Sequence, residues 1–186
     1  MQATLLYRSR LIIKAITPYI TKEAKVLDIG CGNGVVSHEL AKHFGCALTG
    51  TDPQSYLTTS IPFIKMLRDD QLPFEDGAFD VGMFIDTLHH ASNEMQVKII
   101  LDALRVCKKL LIFEVKPSLL ASVSDIILNR LNYAGTPVPC TFRNEQGWMD
   151  LFHENHITAT ARRIKKPIPF YPFSNYLFVL EKKQAS

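Results

Sequence analysis

The sequence predicts a single α/β domain built on a doubly wound, mostly parallel sheet. Three observations lead to this prediction. Short apolar segments alternate with helical ones between residues 25 and 116, as in parallel sheets whose strands are connected by helices. Alternating glycines follow the first apolar segment directly, and acidic residues end several of these segments. The last two apolar segments are joined so tightly that we expect an antiparallel pair, which would complete a seven-stranded sheet.

Composition and charge fit one domain and name no partner. The chain has 186 residues, of which 47% are hydrophobic and 21% are charged, enough to bury a single sizeable core. Its formal net charge of +3 is far from the concentrated Lys and Arg excess that is typical of nucleic-acid binders. We therefore expect one domain spanning 1–186 and no stable complex with nucleic acid.

The N-terminal stretch and the cysteines favour a cytoplasmic protein. Arg8, Arg10 and Lys14 interrupt the apolar residues at the start, so this stretch is neither a secretion signal nor a membrane span of about 20 apolar residues. The cysteines form no CxxC pair, which argues against a zinc ribbon or a redox dithiol and for reduced thiols. They are Cys31, Cys46, Cys107 and Cys140.

The first elements can be predicted in chain order. Apolar residues at helical spacing predict a helix within 1–24, interrupted near Pro18. KVLDI at 25–29 predicts a buried strand, and VVSHELAKHFG predicts a helix that ends at Gly45. Further strands are predicted for CALTGTD, which ends at Asp52, IPFIKML at 61–67, VGMFID, which ends at Asp86, and KLLIFEV at 109–115.

The remaining elements complete the pattern. A helix is predicted at about 94–107, with Ser92 or Asn93 as its N-cap. The segment 146–186 is expected to hold a helix and the closing strand pair. SLLASVSDIILNRLNYAG and NEQGWMDLFHEN predict helices, and HITATARRI and NYLFVLEKK predict strands separated by a proline-rich turn.

The stretch VLDIGCGNG, at 26–34, predicts a ligand site at the first strand-to-helix turn. Glycines permit positive φ and let a ligand approach the backbone, and the N–H groups at a helix start favour a negatively charged group. A dinucleotide-binding turn reads G-x-G-x-x-G/A, whereas this chain reads G-x-G-x-G and has Val35 at the expected small position. The spacing therefore argues against NAD.

Together with GTD, LPFEDGAFDV and LHH, this turn resembles the class I S-adenosylmethionine-dependent methyltransferases, especially the small-molecule group with LPF-x-D-x-x-FD. The resemblance covers Val26 to Val115 and implies a Rossmann-like fold, a cofactor-binding core at 25–116 and S-adenosyl-L-methionine as the cofactor. It also implies a small-molecule acceptor. The oligomeric state is not predicted.

The resemblance also implies which residues bind the cofactor. The first turn would lie against the methionine part and Asp52 would accept hydrogen bonds from both ribose hydroxyls. The family's acidic adenine position is occupied by Arg68, so Asp69 is the first alternative and Asp70 the second. The implied cofactor-binding residues are Asp28, Gly30, Cys31, Gly32, Asp52, Pro53, Asp69, Asp70 and Asp86.

Acceptor binding and proton removal involve other parts of the chain. The N-terminal helix and a lid at 117–145 would enclose a small apolar or lipid-like acceptor, because both are rich in apolar residues. His89 is a candidate general base. We expect proximity to carry the reaction instead, because the sequence places no carboxylate to orient the imidazole.

Other functions stay open. RNA or protein methylation is one, although Asp86 and Thr87 begin DTLH where base-amino methyltransferases have an Asn-Pro-Pro-aromatic or Asp-Pro-Pro-aromatic motif. A methyltransferase-like subunit that acts through a partner is another. His153 and His156 are three positions apart, but no ligand set accompanies them, so no metal is expected.

Overall fold

The computed structural model describes residues 2–119, 141–165 and 173–181. The predicted helix at 118–135 therefore lies almost entirely outside the described residues. The helices are α1 (Gln2–Ile16), α2 (Val35–Phe44), α3 (Asn93–Val106) and α4 (Glu145–Glu154), with 3₁₀ turns at Thr17–Tyr19 and Leu88–His90. The strands are β1 (Lys25–Ile29), β2 (Ala47–Asp52), β3 (Phe63–Lys65), β4 (Phe79–Ile85), β5 (Cys107–Val115), β6 (Thr158–Ile164) and β7 (Asn175–Glu181).

The strands form a seven-stranded sheet in the order β3-β2-β1-β4-β5-β7-β6. The first five strands in this order are parallel, and β7 is antiparallel to both β5 and β6. This confirms the predicted Rossmann-like, doubly wound sheet with an antiparallel C-terminal pair. The chain order reverses between β1 and β4, so the carboxyl ends of these two strands form the crevice where open α/β sheets bind ligands.

Two apolar layers cover the sheet, one on each face. Ile12 and Ile16 of α1 pack with Leu40 of α2 on one face. On the other face, α3 packs with Trp148 and Phe152 of α4. Burial of both faces explains why the central strands read as continuous apolar runs and do not alternate with polar residues.

Most element ends follow the signals in the sequence, with two corrections. Gly45 ends α2 with φ of 64°, and the Ser92 hydroxyl caps α3 by accepting a hydrogen bond from the backbone N–H of Met95. The third strand is shorter than predicted, because the chain leaves the sheet after Lys65. The fourth ends one residue before Asp86, whose φ of 48° cannot continue a strand.

No helix within the described residues combines the length and the apolar character that crossing a membrane requires.

Candidate active site at the carboxyl edge of the sheet

The first strand-to-helix turn requires glycine for steric reasons. Gly30 has φ of 74°, and a Cβ atom there would lie 2.2 Å from Cγ2 of Thr87. Gly34 has φ of 76°, and its Cβ would come within 2.7 Å of both Leu57 and Thr59. The turn can therefore pack against the loops after β2 and β4 only because these side chains are missing.

The N–H groups of this turn are already bonded within the chain. Gly30 and Cys31 both donate to the carbonyl of Thr51, at 2.8 and 3.2 Å, and Gly32 donates to Oδ2 of Asp52 at 3.1 Å. A pyrophosphate would have to break these bonds, which favours a cofactor without phosphate. The N–H groups predicted to attract a negatively charged ligand are those at the start of α2, which begins at Val35, so that expectation stays a prediction.

Cys31 is a half-buried packing residue of the turn. A Cβ at Gly50 would lie 2.8 Å from its Sγ, so the thiol fills the space that this glycine leaves. Burial raises the pKa of the Cys31 thiol, and the carboxylates of Asp28 and Asp52 raise it further. The side chain therefore stays an uncharged thiol and does not act as a nucleophile.

Two acidic side chains at the carboxyl ends of adjacent strands carry buried oxygens that lack partners among the described residues. Asp28 of β1 is 2% exposed, and its Oδ2 accepts a 2.6 Å hydrogen bond from the hydroxyl of Ser37. Oδ1 of Asp28 and Oδ1 of Asp86 have no hydrogen-bond partner among the described residues. Because an ionised carboxylate can only accept hydrogen bonds, both oxygens are available to donors of a bound ligand.

The environment of Asp28 leaves its charge poorly compensated. Burial raises the pKa of this carboxyl from 3.8 to about 6, against the opposing effects of the Ser37 hydroxyl and the positive charge of Arg8. The negative charge of Asp52 adds to the rise. A cationic ligand group at this place would favour the ionised form.

Arg8 brings the N-terminal helix to the same place. Its Nε and Nη2 both donate to Oδ2 of Asp86, at 3.1 and 2.7 Å. The two side chains are 22% and 16% exposed, so the ion pair lies at the edge of the crevice and not in open solvent. α1 therefore borders the candidate site.

The predicted ribose residue lies at the expected strand end. Asp52 is 9% exposed and accepts hydrogen bonds from the backbone N–H groups of Gly32 and Gln54. Burial raises the pKa of its carboxyl, and these two hydrogen bonds oppose the rise. Each oxygen has made one bond and retains acceptor capacity for the two hydroxyls of a ribose. Pro53, which follows it, is half-buried.

The geometry separates the two candidate adenine residues. Arg68 holds Asp70 in a two-bond ion pair, at 2.9 and 3.0 Å, and lowers the pKa of its carboxyl. Asp69 has no such ion pair among the described residues, and its negative charge adds to the rise in the pKa of Asp52. This arrangement favours Asp69 over Asp70.

A carboxylate does orient His89, contrary to the expectation from the sequence. Nδ1 of His89 lies 2.6 Å from Oε2 of Glu114, and both side chains are almost fully buried, at 3% and 2% exposure. Oε1 of the same glutamate accepts hydrogen bonds from the backbone N–H groups of Thr87 and Leu88, at 3.0 and 2.8 Å. Glu114 therefore fixes both the imidazole and the loop after β4.

Residues 141–143 lie directly beside His89. The backbone N–H of Thr141 donates to the carbonyl of His89 at 2.9 Å, and the ring of Phe142 stacks on the imidazole with centroids 4.6 Å apart. Gln96 anchors this segment, because its amide donates to the Thr141 hydroxyl at 2.7 Å and accepts from Arg143 at 2.8 Å.

Arg8, Glu114 and Phe142 were not predicted as site residues. Two of them leave a signal in the sequence: Glu114 is an acidic residue inside the apolar strand KLLIFEV, and Arg8 interrupts an apolar helix face. Phe142 leaves none, since its contact depends on the return of a distant segment. Within the described part of the chain, no group of three or more His, Cys, Asp or Glu side chains could hold a metal ion.

Comparison with known proteins points to one family. A family model described as a methyltransferase domain matches residues 26–109, from β1 into β5. The match supports the predicted methyltransferase class, with S-adenosyl-L-methionine as the cofactor. The narrower LPF-x-D-x-x-FD group stays a prediction.

Solved structures support the fold of the methyltransferase domain. An S-adenosylmethionine-dependent methyltransferase from Methanosarcina mazei superposes with a TM-score of 0.69 at 18% identity, covering 90% of this chain and 96% of that one. One from Archaeoglobus fulgidus gives 0.68 at 15% identity, covering 95% and 93%. Geranyl diphosphate C-methyltransferase from Streptomyces coelicolor A3(2) gives 0.64 at 10% identity, covering 95% and 80%.

A curated relative is similar over a shorter stretch. The tRNA U34 carboxymethyltransferase of Nautilia profundicola is 30% identical over an alignment of 95 residues, and the match covers 45% of this chain. The matched stretch spans only 32% of that relative, so the likeness concerns the methyltransferase domain and not the whole enzyme.

Proposed function

We propose that the chain transfers a methyl group from S-adenosylmethionine to a small acceptor, as a member of the LPF-x-D-x-x-FD group. One observation carries the proposal: Asp28 and Asp86, at the ends of adjacent strands, each present a buried carboxylate oxygen without a partner among the described residues. An α-ammonium group supplies the positively charged donors that two such oxygens need. S-adenosylmethionine carries this group, whereas NAD carries none.

The residues of the crevice divide among the parts of the cofactor. Asp28 and Asp86 face the ammonium group, and Arg8 is placed to bind the adjacent carboxylate. Gly30, Cys31 and Gly32 provide close backbone approach. Asp52, with Pro53 beside it, receives the ribose hydroxyls, and Asp69 receives the adenine amino group, with Asp70 as the second candidate.

The chemistry asks little of the protein beyond position. When bound, S-adenosylmethionine supplies a methyl group activated by its sulfonium, and the acceptor's lone pair forms the new bond as the electrons of the C–S bond return to sulfur. The chain holds the acceptor in line with that bond and excludes water. The proton of the acceptor leaves to water or, in a second route, to His89, which Glu114 orients.

The acceptor is proposed to be small and apolar or lipid-like. Leu119, at the last described position before the gap, is 84% exposed, and Phe142, at the return of the chain, is half-buried against His89. The residues between them belong to the proposed acceptor lid at 117–145, which follows the proposed cofactor-binding core at 25–116. The segment 146–186 is proposed to supply the last helix and the strand pair. A cytoplasmic location is part of the proposal.

The rival function in RNA modification has less support. The curated relative acts on tRNA, and basic residues on the edge strand β6 would be the natural contact surface. However, Arg162 donates to the backbone carbonyl of Ala15, and Arg163 is paired with Glu145. Both guanidinium groups are thus engaged within the chain, which favours a small acceptor.

The experiment has two stages. Calorimetry of the purified chain with S-adenosylhomocysteine and with NAD tests the cofactor, and micromolar binding of NAD alone would refute the proposal. Transfer of label from [methyl-³H]S-adenosylmethionine to a panel of phenols, alcohols and fatty acids, with tRNA in parallel, tests the acceptor. Cofactor binding without transfer to any acceptor would favour a subunit that acts through a partner.

A further inference from the structure

Asn175 is a buried amide whose two polar atoms find no partner in the described part of the chain. The residue is 1% exposed, and neither Nδ2 nor Oδ1 has a hydrogen-bond partner among the described residues. Leaving a buried polar group unsatisfied destabilises the folded state, because the group loses its hydrogen bonds to water. A leucine would fill a similar volume without this cost, so the amide at this position calls for a reason other than stability.

The position of Asn175 places it at the same edge as the candidate active site. It is the first residue of β7 and lies opposite Val115, the last residue of β5, and Ile164, the last residue of β6. Because β7 runs antiparallel to β5, its first residue lies at the carboxyl edge of the parallel strands. Adjacent strands are about 4.8 Å apart, so Asn175 lies roughly 10 Å from β4, the strand that Asp86 follows.

Asn175 also faces the helix that borders the site. Side chains alternate along a strand, so Asn175 shares a face with Leu177 and Val179. Both pack in the apolar layer that contains Ile12 of α1. Asn175 extends this row toward the carboxyl edge, where Arg8 of the same helix reaches Asp86.

The buried side-chain atoms that lack partners in the described part of the chain all lie at this edge. They belong to Asp28 in β1, Asp86 after β4 and Asn175 at the start of β7. By contrast, Gln96, a buried amide within the helical layer, bonds through both its nitrogen and its oxygen. Unsatisfied polarity is therefore concentrated where a ligand would bind.

We infer that Asn175 recognises a polar group of the acceptor, a hydroxyl or a carboxamide. This inference rests on the proposed function and deepens it. The two carboxylates can only accept hydrogen bonds, which suits the cofactor, whereas the amide of Asn175 needs an acceptor and a donor together. A hydroxyl or a carboxamide offers both. A hydrocarbon offers neither, and a carboxylate would leave Oδ1 unpaired. The acceptor is thus an apolar molecule with one neutral polar group on the β7 side.

The test measures ligand binding in the protein saturated with S-adenosylhomocysteine. Phenol and benzamide are compared with toluene and benzoate by thermal shift, in the wild type and in Asn175→Leu. We expect phenol or benzamide to raise the melting temperature of the wild type, and Asn175→Leu to weaken their binding about tenfold. An equal shift in the variant, or no shift by either compound in the wild type, overturns the inference.

Stability of the ligand-free protein provides the second readout. Asn175→Leu should melt at the same temperature as the wild type or higher, because it removes two unsatisfied polar atoms. Gln96→Met, which removes a fully bonded amide, should melt lower. A melting temperature for Asn175→Leu that is several degrees below the wild type would show a structural amide and overturn the inference. Failure of S-adenosylhomocysteine to bind the wild type would instead refute the proposed function.

Discussion

Arg8 and Asp86 are 78 positions apart in the chain, yet two nitrogens of the guanidinium bond one oxygen of the carboxylate. The pair ties the N-terminal helix to the loop after β4, and it leaves the other oxygen of Asp86 unpaired among the described residues. Arg8 also lowers the pKa of Asp28. One guanidinium group thus compensates two carboxylates. In a ligand that carries both groups, the ammonium could pair with the carboxylates and the carboxylate could pair with Arg8.

Arg8→Ala should weaken the binding of S-adenosylhomocysteine about tenfold or more, because it removes a charge-assisted bond to the cofactor carboxylate. The same variant should bind 5′-methylthioadenosine, which has no amino-acid group, as tightly as the wild type does. Calorimetry with both ligands measures the difference. Arg10→Ala, an exposed arginine on the same helix, is the matched control. Equal losses for both ligands would contradict the assignment.

Asp52→Ala should weaken cofactor binding and keep the fold. Each charge-assisted bond to a ribose hydroxyl contributes about 1.5–3 kcal/mol, so the loss of even one bond should weaken binding about tenfold. Calorimetry measures the affinity, and circular dichroism checks the fold. In the same assay Asp69→Ala should weaken binding more than Asp70→Ala or Arg68→Ala, because the last two residues are bonded to each other. Unchanged affinity of a folded Asp52→Ala would refute the ribose role.

Cofactor affinity should fall as the pH drops through about 6. The pKa of the Asp28 carboxyl is raised from 3.8 to about 6 by burial, and the cofactor's ammonium group favours the ionised form. Above this pKa the carboxyl of Asp28 is already ionised and binding costs no proton. Below it, binding must remove the proton from Asp28, which lowers the affinity. Titration of S-adenosylhomocysteine between pH 5 and about 8 measures the effect, and Asp28→Asn should bind more weakly with a flatter profile. A wild-type profile that does not change would count against Asp28.

The same raised pKa has the opposite effect on folding: the stability of the cofactor-free protein decreases as the pH rises, whereas cofactor affinity increases. Between 3.8 and about 6 the folded state of the cofactor-free protein holds the Asp28 proton more tightly than the unfolded chain does. The contribution of Asp28 to the free energy of unfolding therefore decreases as the pH rises through this window. Cofactor binding should reduce this pH dependence.

Glu114→Ala should lower the melting temperature by several degrees. The variant leaves the N–H groups of Thr87 and Leu88 and the imidazole of His89 without their acceptor, at about 1–3 kcal/mol for each unsatisfied group. Glu114→Gln keeps one acceptor oxygen and should lose less. Glu94→Ala, at an exposed helix position, is the control and should change little. Calorimetric melting that gives Glu114→Ala and Glu94→Ala the same temperature would exclude this role for Glu114.

His89→Ala should keep most of the methyl-transfer rate. Glu114 orients the ring, but His89 is only 3% exposed and stacks against Phe142. These contacts give His89 a structural role beside the candidate active site that needs no proton transfer. A positioned general base contributes roughly 100-fold or more, whereas proximity alone does not require the imidazole. Initial rates measured with saturating cofactor distinguish these two mechanisms. A large loss of turnover at unchanged cofactor affinity would establish His89 as the base.

The fold could be predicted because the local signals agree with one another. The glycine turn, the strand-end acids and the helix caps at Ser92 and Gly45 each act over a few residues, and the structure places them as expected. Strand ends were less predictable. The segment IPFIKML stays apolar after Lys65, which predicts a longer strand. The strand nevertheless ends at Lys65, before the turn in which Arg68 pairs with Gln71. The apolar pattern does not predict that turn.

The candidate site could be predicted only in part, for a physical reason. Asp28 and Asp52 follow from motif spacing on single strands. Glu114 and Arg8 act through contacts between distant elements, namely β5 with the loop after β4, and α1 with the same loop. Such contacts depend on how the layers pack. The hydrogen bonds from the N–H groups of Gly30 and Cys31 are also contacts between separate elements, because their acceptor, Thr51, lies on the neighbouring strand.

The position of β7 in the sheet has a consequence for local opening. β6 pairs with β7, and β7 connects it to β5, so the described ladder gives β6 no other attachment to the sheet. If the hydrogen bonds between β5 and β7 open, both strands leave as one cooperative unit while the five parallel strands can stay paired. Amide protons of β6 should then exchange with solvent at least as readily as those that join β7 to β5. The acceptor side of the edge, marked by Asn175, belongs to this detachable hairpin, whereas the cofactor side belongs to the parallel sheet.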